Sequence, residues 1–229
     1  MFEYTLEIEL QSDTTFGMGA GVSGYVDAEI QHDDRGLPTL SGRAVKGLLV
    51  NECSEILYVL PEGKKEDWEF AAQKLFGMRG ETLDDNNGLF ISDGTIAPDL
   101  VAMISPDAKL SRQDVINSLT DIRRQTAMNE NGAPLDETLR AMRVLVRGLT
   151  FYVPIILPDD LEEREKALLA ACVMSLRRAG IGRTRGKGKI QARITDRPLA
   201  PKEFAETEAL SKNDLTLKWF EFFKQEVKQ

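Results

Sequence analysis

The chain has 229 residues, enough for one large domain or two small ones that bury a core without disulfide staples. Its 37 acidic and 29 basic side chains give a net charge of −8 and a pI near 4.9, the reverse of a generally basic nucleic-acid surface. A single histidine, His32, argues against Ser-His-Asp, Cys-His and histidine-rich metal chemistry.

Residues 2–10 alternate strictly, with Phe2, Tyr4, Leu6, Ile8 and Leu10 on one face and Glu3, Thr5, Glu7 and Glu9 on the other. That is the pattern of a half-buried strand. The same acidic alternation is wrong for a signal peptide, and no apolar run approaches the roughly 20 residues of a membrane span. A soluble, cytoplasmic protein is expected. A glycine-rich stretch, FGMGAGVSG, leads into an extended pair over about 25–40 that turns at DDRG. Asp33 and Asp34 serve there as turn formers, with His32 solvated beside them. Ser41-Gly42 opens a helix from about Arg43 to Leu60, stopped by Pro61, and a second short helix spans 65–76 up to Gly77. GLFISDGTI at 88–96 reads as one strand, with Asp93 a structural residue at its end.

Residues 104–147 are polar and irregular, with a turn or flexible tip at NENGAPLDE. Arg140, Arg143 and Arg147 recur at i, i+3 and i+7, which places three cations on one side if the segment is helical and not if it is extended. LTFYVPIIL at 149–157 is a buried strand. The acids Asp159, Asp160, Glu162 and Glu163 then open a helix running to about Arg178, acids first and arginines last as the macrodipole prefers. A strand over 188–195 follows, and an amphipathic helix over about 203–228 packs Trp219, Phe220, Phe222 and Phe223 onto the domain. Strand, helix, strand, insertion, strand, helix, strand predicts an α+β fold. Its core is the ferredoxin-like (RRM-like) βαββαβ arrangement, in one elaborated domain with strands one and three central.

Charge is distributed unevenly. Residues 177–189, RRAGIGRTRGKGK, carry Arg177, Arg178, Arg183, Arg185, Lys187 and Lys189 with no acid, so a segment of +6 sits on a remainder of −14. A local anion site follows from that pattern. Gly19 to Gly24 matches G-x-G-x-x-G, but GYVDAEIQHDD after it is not helical, which excludes a dinucleotide-binding turn. The basic loop is not a P-loop either: Ile181 stands where the first glycine belongs and Gly188 where Ser or Thr belongs. Glycines interleaved with Arg and Lys still let backbone N–H groups approach phosphates while side chains neutralise charge. On residue chemistry the alternatives are phosphate or RNA contact and a solvated basic hairpin.

A glycine-rich loop between the last helix and strand, on a ferredoxin-like order, resembles the RAMP superfamily of CRISPR-associated RNA-binding proteins. Four blocks, in family order, resemble the backbone subunit of type III effector complexes: DAEIQHDDRGLPTLSGRAVKGLL, LFGMRGETLDDNNGLFISDGTI, TAMNENGAPLDETLRAMRVLVRGLTFYVPI and GIGRTRGKGKI. Lys46-Gly47 is kept, whereas Arg43-Ala44 and Asn51 stand where that branch often has serines and an arginine. The resemblance implies a single RAMP domain over 1–229, with a thumb insertion over about 104–147 tipped by Gly132, Ala133, Pro134 and Leu135. It implies guide RNA (crRNA), single-stranded target RNA, other CRISPR effector subunits and copies of the chain in a filament as partners, and no membrane. It also implies endoribonuclease activity on guide-paired target at regular intervals, with Asp27 the catalytic residue. A divalent metal, magnesium, would serve cleavage without a dedicated protein metal cluster or an organic cofactor. Candidate RNA contacts are Arg43, Lys46, Arg123, Arg124, Gly182, Arg183, Arg185, Gly186, Lys187 and Lys189. Three other readings stay open: a catalytically silent scaffold, a guide-processing endoribonuclease using His32, and a small nucleotide-binding domain.

Overall fold

A computed structural model describes residues 2–77, 88–104, 110–127, 129–135, 138–196 and 214–228. The first half contains β1 (Phe2–Leu10), β2 (Thr39–Leu40), α1 (Gly42–Val59), α2 (Glu62–Phe76), β3 (Phe90–Ile91), β4 (Gly94–Ile96) and α3 (Pro98–Met103). The second half contains α4 (Arg112–Leu119), β5 (Thr120–Gln125), β6 (Arg140–Leu145), β7 (Thr150–Leu157), α5 (Glu163–Ser175), β8 (Ile190–Thr195) and α6 (Leu215–Lys228). The result is a mixed α+β molecule with antiparallel sheets. The main sheet runs β2-β4-β7-β1-β8, with β3 also paired to β7, and β5-β6 form a separate hairpin.

The alternation of β1 does what alternation predicts on one face. Leu6 lies between Val153 and Ile194 of its two neighbours, and Leu6, Ile8 and Leu10 are all buried. α5 packs beneath, against α1, α2, α6 and β8. The other face differs from the expectation of exposed acids: Glu7 is 2% exposed and bonds the Arg193 guanidinium at 2.6 and 2.7 Å. The register explains it, since β1 is flanked on both sides and sets Glu7 opposite Arg193 on β8 and Tyr152 on β7.

The aromatic residues of α6 pack inward, Trp219 edge-on to Tyr4 at 5.2 Å and Phe223 against the fully buried Trp68 at 4.7 Å. Arg164 sits over Trp68 and pairs with Asp67 and Glu226, tying α2, α5 and α6 together. Residues 203–213 of the expected C-terminal helix, and 78–87 of the second block, lie outside the described residues. Among the described residues no helix is long and apolar enough to cross a membrane.

Two expectations need correction, and one open alternative is decided. The 88–96 segment is not one strand but two short ones around Ser92-Asp93, because the start of α1 presses into the gap: a Cβ on Gly42 would lie 2.2 Å from the Ile91 carbonyl oxygen. Asp93 bonds the Gly42 N–H at 2.8 Å and so caps a helix 51 residues away in sequence. α5 ends at Ser175, and Arg177 and Arg178 leave it because their backbone pairs with 189–190, so they do not serve its last turn. Finally, Arg140 and Arg143 lie on a strand, which dissolves the helical stripe; Arg140 is exposed and Arg143 buried.

Cys53 of α1 and Cys172 of α5, distant in sequence, are both buried and within hydrogen-bonding reach of each other. The contact with Cys53, and then burial, push the Cys172 thiol well above its ordinary range.

Candidate functional site

Asp27 is placed by the glycine-rich stretch before it. The chain from Phe16 to Gln31 folds back on itself, with Met18 N–H donating to Glu29 and Gln31 N–H to Phe16. The reversal is a tight turn closed by Val22 and Val26, which exchange N–H···O bonds of 2.8 and 3.0 Å, with Gly24 at φ +74°. Gly21 is needed for space: a Cβ there would meet the Val26 carbonyl oxygen at 2.2 Å and the Asp27 carbonyl at 2.6 Å. The G-x-G-x-x-G match is therefore no dinucleotide turn; its central glycine lets the backbone before Asp27 close on itself.

The returning segment docks along β6, reaching the end of the β5-β6 ladder nearest the hairpin tip, where Ala141 pairs with Arg124. Asp27 N–H donates to Ala141 at 2.7 Å, and Ala141 N–H donates back to Asp27 Oδ2 at 2.7 Å. Asp27 Oδ1 lies 3.6 Å from Arg140 Nη1, with the side chains 48% and 69% exposed. Two residues on, Glu29 is buried and receives Arg143 Nε at 2.9 and 3.1 Å. Arg143 also donates to Thr120 Oγ1 at 2.9 Å and lies over the Tyr25 ring at 5.5 Å. One carboxylate of the pair thus faces solvent beside a cation, while the other anchors it.

The basic loop reaches the same strand. Gly180, Gly182, Gly186 and Gly188 all have left-handed φ between 71° and 85°, around a short turn at Arg183–Arg185. It is seated on residues 12–15 by Gly188 N–H to Asp13, Ile181 N–H to Thr15 and Lys189 N–H to Ser12 Oγ. Lys187 Nζ lies 3.4 Å from Met142 Sδ, one residue beyond Ala141. Arg183 stands close enough to Glu52 of α1 to pull that carboxyl down against the stronger upward effect of burial and then Glu55.

The remaining candidates separate. Arg123 is committed to Asp13 and Asp121, at 2.8 and 2.7 Å, and these carboxylates hold its proton more firmly than usual. Lys46 donates to the Leu89 carbonyl at 3.1 Å, and burial lowers its amine. Arg43 and Arg124 are exposed, as are Gly132, Ala133, Pro134 and Leu135 at the hairpin tip, where a turn is closed by Gly132 N–H to Asn129. No described contact joins Arg43 or Lys46 to Asp27. His32 meets Arg112 of α4 at 3.2 Å, and no described contact joins it to Asp27. Sequence reasoning missed Tyr25 and Glu29 and left Arg143 open between a helical stripe and an extended segment. Glu29, spaced i+2 from Asp27 in an extended segment, was the available signal.

Among the described residues no three His, Cys, Asp or Glu side chains come together as a metal cluster. Asp27, with one oxygen held by Ala141, has Oδ1 left to offer. That donor set suits magnesium, which keeps several waters and takes one or two carboxylates plus substrate phosphates.

The sequence pattern that defines the RAMP superfamily matches residues 7–191, from β1 through the glycine loop. The chain belongs to the RAMP superfamily. A chain of the type III-B Cmr-beta complex bound to cognate target RNA superposes with TM-score 0.59 at 14% identity, covering 85% of this RAMP chain and 97% of its own length. The apo state of Cmr-beta gives TM-score 0.59 at 14% identity, over 84% and 97%. At that identity the likeness is one of fold. No curated protein matches the sequence.

Proposed function

We propose that this RAMP protein is a guide-RNA-binding backbone subunit of a type III CRISPR ribonucleoprotein that cleaves guide-paired target RNA. In this reading the main sheet and its helices are the ferredoxin-like core, the β5-β6 hairpin is the thumb, and copies stack along the guide. The observation that carries it is convergence on one strand: Ala141 holds Asp27 and Met142 meets Lys187 of the glycine loop. A carboxylate, an exposed arginine and a glycine-built loop of cations thus surround one position, the set that a phosphodiester calls for. The Cmr-beta structures support the reading through what they contain, a type III-B complex, in one of the two bound to cognate target RNA.

Cleavage would follow in-line attack of a 2′-OH on the adjacent phosphorus, leaving a cyclic phosphate and a 5′-OH. Asp27 offers Oδ1 to the reacting group, with Oδ2 held by Ala141. Arg140 offsets charge on the phosphate, and the Ala141 N–H of β6 fixes the direction of the carboxylate. A magnesium ion bound at Oδ1 would supply charge neutralisation and a polarised water.

The test is Asp27→Asn in the reconstituted complex. Asparagine keeps a side-chain oxygen for Ala141 N–H, so the hairpin contact survives the change. Loss of target cleavage with target binding retained is the expected result. Unchanged cleavage would instead favour the silent scaffold, which one observation already suits: Asp27 has a structural task in fastening its segment to β6.

A further inference from the structure

Beside Asp27 the loop 21–27 lines a pocket of about 500 Å³, inside the range of about 300–1,000 Å³ that small-ligand sites span. Its surface is more polar than apolar. Tyr25 stands in it, and the ring has two unequal faces. One is covered by the guanidinium of Arg143, itself 3% exposed and fixed by Glu29 and Thr120. Tyr25 is nevertheless 50% exposed, so its open surface is the opposite face and edge. Val22 and Met18, 48% and 55% exposed, add apolar surface nearby.

An exposed aromatic ring fixed from behind by a buried cation needs little further ordering to receive a flat ligand. The ligand it fits is aromatic on its faces and polar on its edges, with an anionic linkage to meet Arg140. A nucleobase of single-stranded RNA has that chemistry. We propose that Tyr25 is a stacking platform for one base of the bound RNA strand, seated in the 21–27 pocket so that the attached phosphate lies beside Asp27. The inference rests on the reading of the chain as an RNA-binding subunit, but not on Asp27 being catalytic.

The experiment uses the assembled ribonucleoprotein and a complementary target RNA carrying 2-aminopurine at successive positions. Wild type should quench one position per copy, and Tyr25→Phe and Tyr25→Trp should keep the quench. Tyr25→Leu should abolish it and weaken target binding by about 5- to 150-fold per engaged base. Equal quenching and affinity in Tyr25→Leu would overturn the platform while leaving RNA binding intact. A wild-type assembly that binds no RNA at all would overturn the functional reading with it. Should Tyr25→Leu not fold, target RNA carrying 5-iodouridine is photocrosslinked to the wild-type assembly and the modified peptide sequenced. A crosslink on Tyr25 is expected, and crosslinks confined to other segments would refute the proposal.

Discussion

Replacing Arg143 by methionine keeps the side-chain stem and removes the guanidinium that joins the Asp27 segment to the hairpin. The lost contacts are two to Glu29, at 2.9 and 3.1 Å, one to Thr120 at 2.9 Å, one to Asn117 at 3.4 Å and the stacking over Tyr25, with Arg143 3% and Glu29 5% exposed. Glu29 keeps only its bond from the Ile30 N–H, so a carboxylate stays buried without its cation. Breaking a buried pair from one side costs about 3–5 kcal/mol. For a domain of this length that shifts the melting midpoint by roughly 6–20 °C. Removing both partners, as Arg143→Met with Glu29→Leu, takes away the stranded charge and should recover about 2–3 kcal/mol. Thermal and urea melts of the wild type, both single variants and the double variant close the cycle. An Arg143→Met loss below about 1 kcal/mol, or strict additivity in the double variant, would refute the claim that this pair fastens the loop to the hairpin.

Glycine positions in the basic loop should differ sharply. Gly188→Ala combines φ +71° with a Cβ 2.0 Å from the Ala179 carbonyl oxygen, whereas Gly182→Ala meets only Lys187 Cδ at 3.9 Å. Gly182→Ala should therefore cost about 1–2 kcal/mol of backbone strain, and Gly188→Ala clearly more, read by urea denaturation. Asp93→Ala should lose about 1 kcal/mol by uncapping α1, while Asp93→Asn stays within a few tenths because the amide oxygen can still accept the Gly42 N–H. Lys46 has its amine held down by burial, so the folded state binds its proton less well than the unfolded state. Its stability penalty is present below the folded value and fades as pH rises toward the unfolded one. Across that alkaline window wild-type stability should rise relative to Lys46→Met, and parallel curves would refute the burial argument.

Local pattern was legible where local chemistry decided the structure. The alternation of residues 2–10, the Pro61 and Gly77 stops and the apolar 150–157 run all became the elements their spacing predicts. Arg143 was not legible, because i, i+3 spacing counts only on a helix and the segment pairs as a strand with β5. Glu7 was not, because burial of an acid depends on a neighbour 186 residues away. Cys53 and Cys172 were not, for the same reason. Asp93 was recognised as structural, but its partner across the fold could not be named from sequence.

The candidate site has this character throughout. It is assembled from residues 12–29, 140–143 and 180–189, so no window of sequence contains it. What each window did contain was the permission for the assembly: glycines at 21, 180 and 188, where backbone must close on backbone. The three segments meet at Ala141, Met142 and Arg143, which successively hold Asp27, Lys187 and Glu29. The direction of the Asp27 carboxylate is therefore set by the strand that also carries the hairpin tip. Any displacement of β6 relative to β1 and β7 acts on Asp27 through a 2.7 Å hydrogen bond, while the buried arginine two residues along, nearer the hairpin base, resists it.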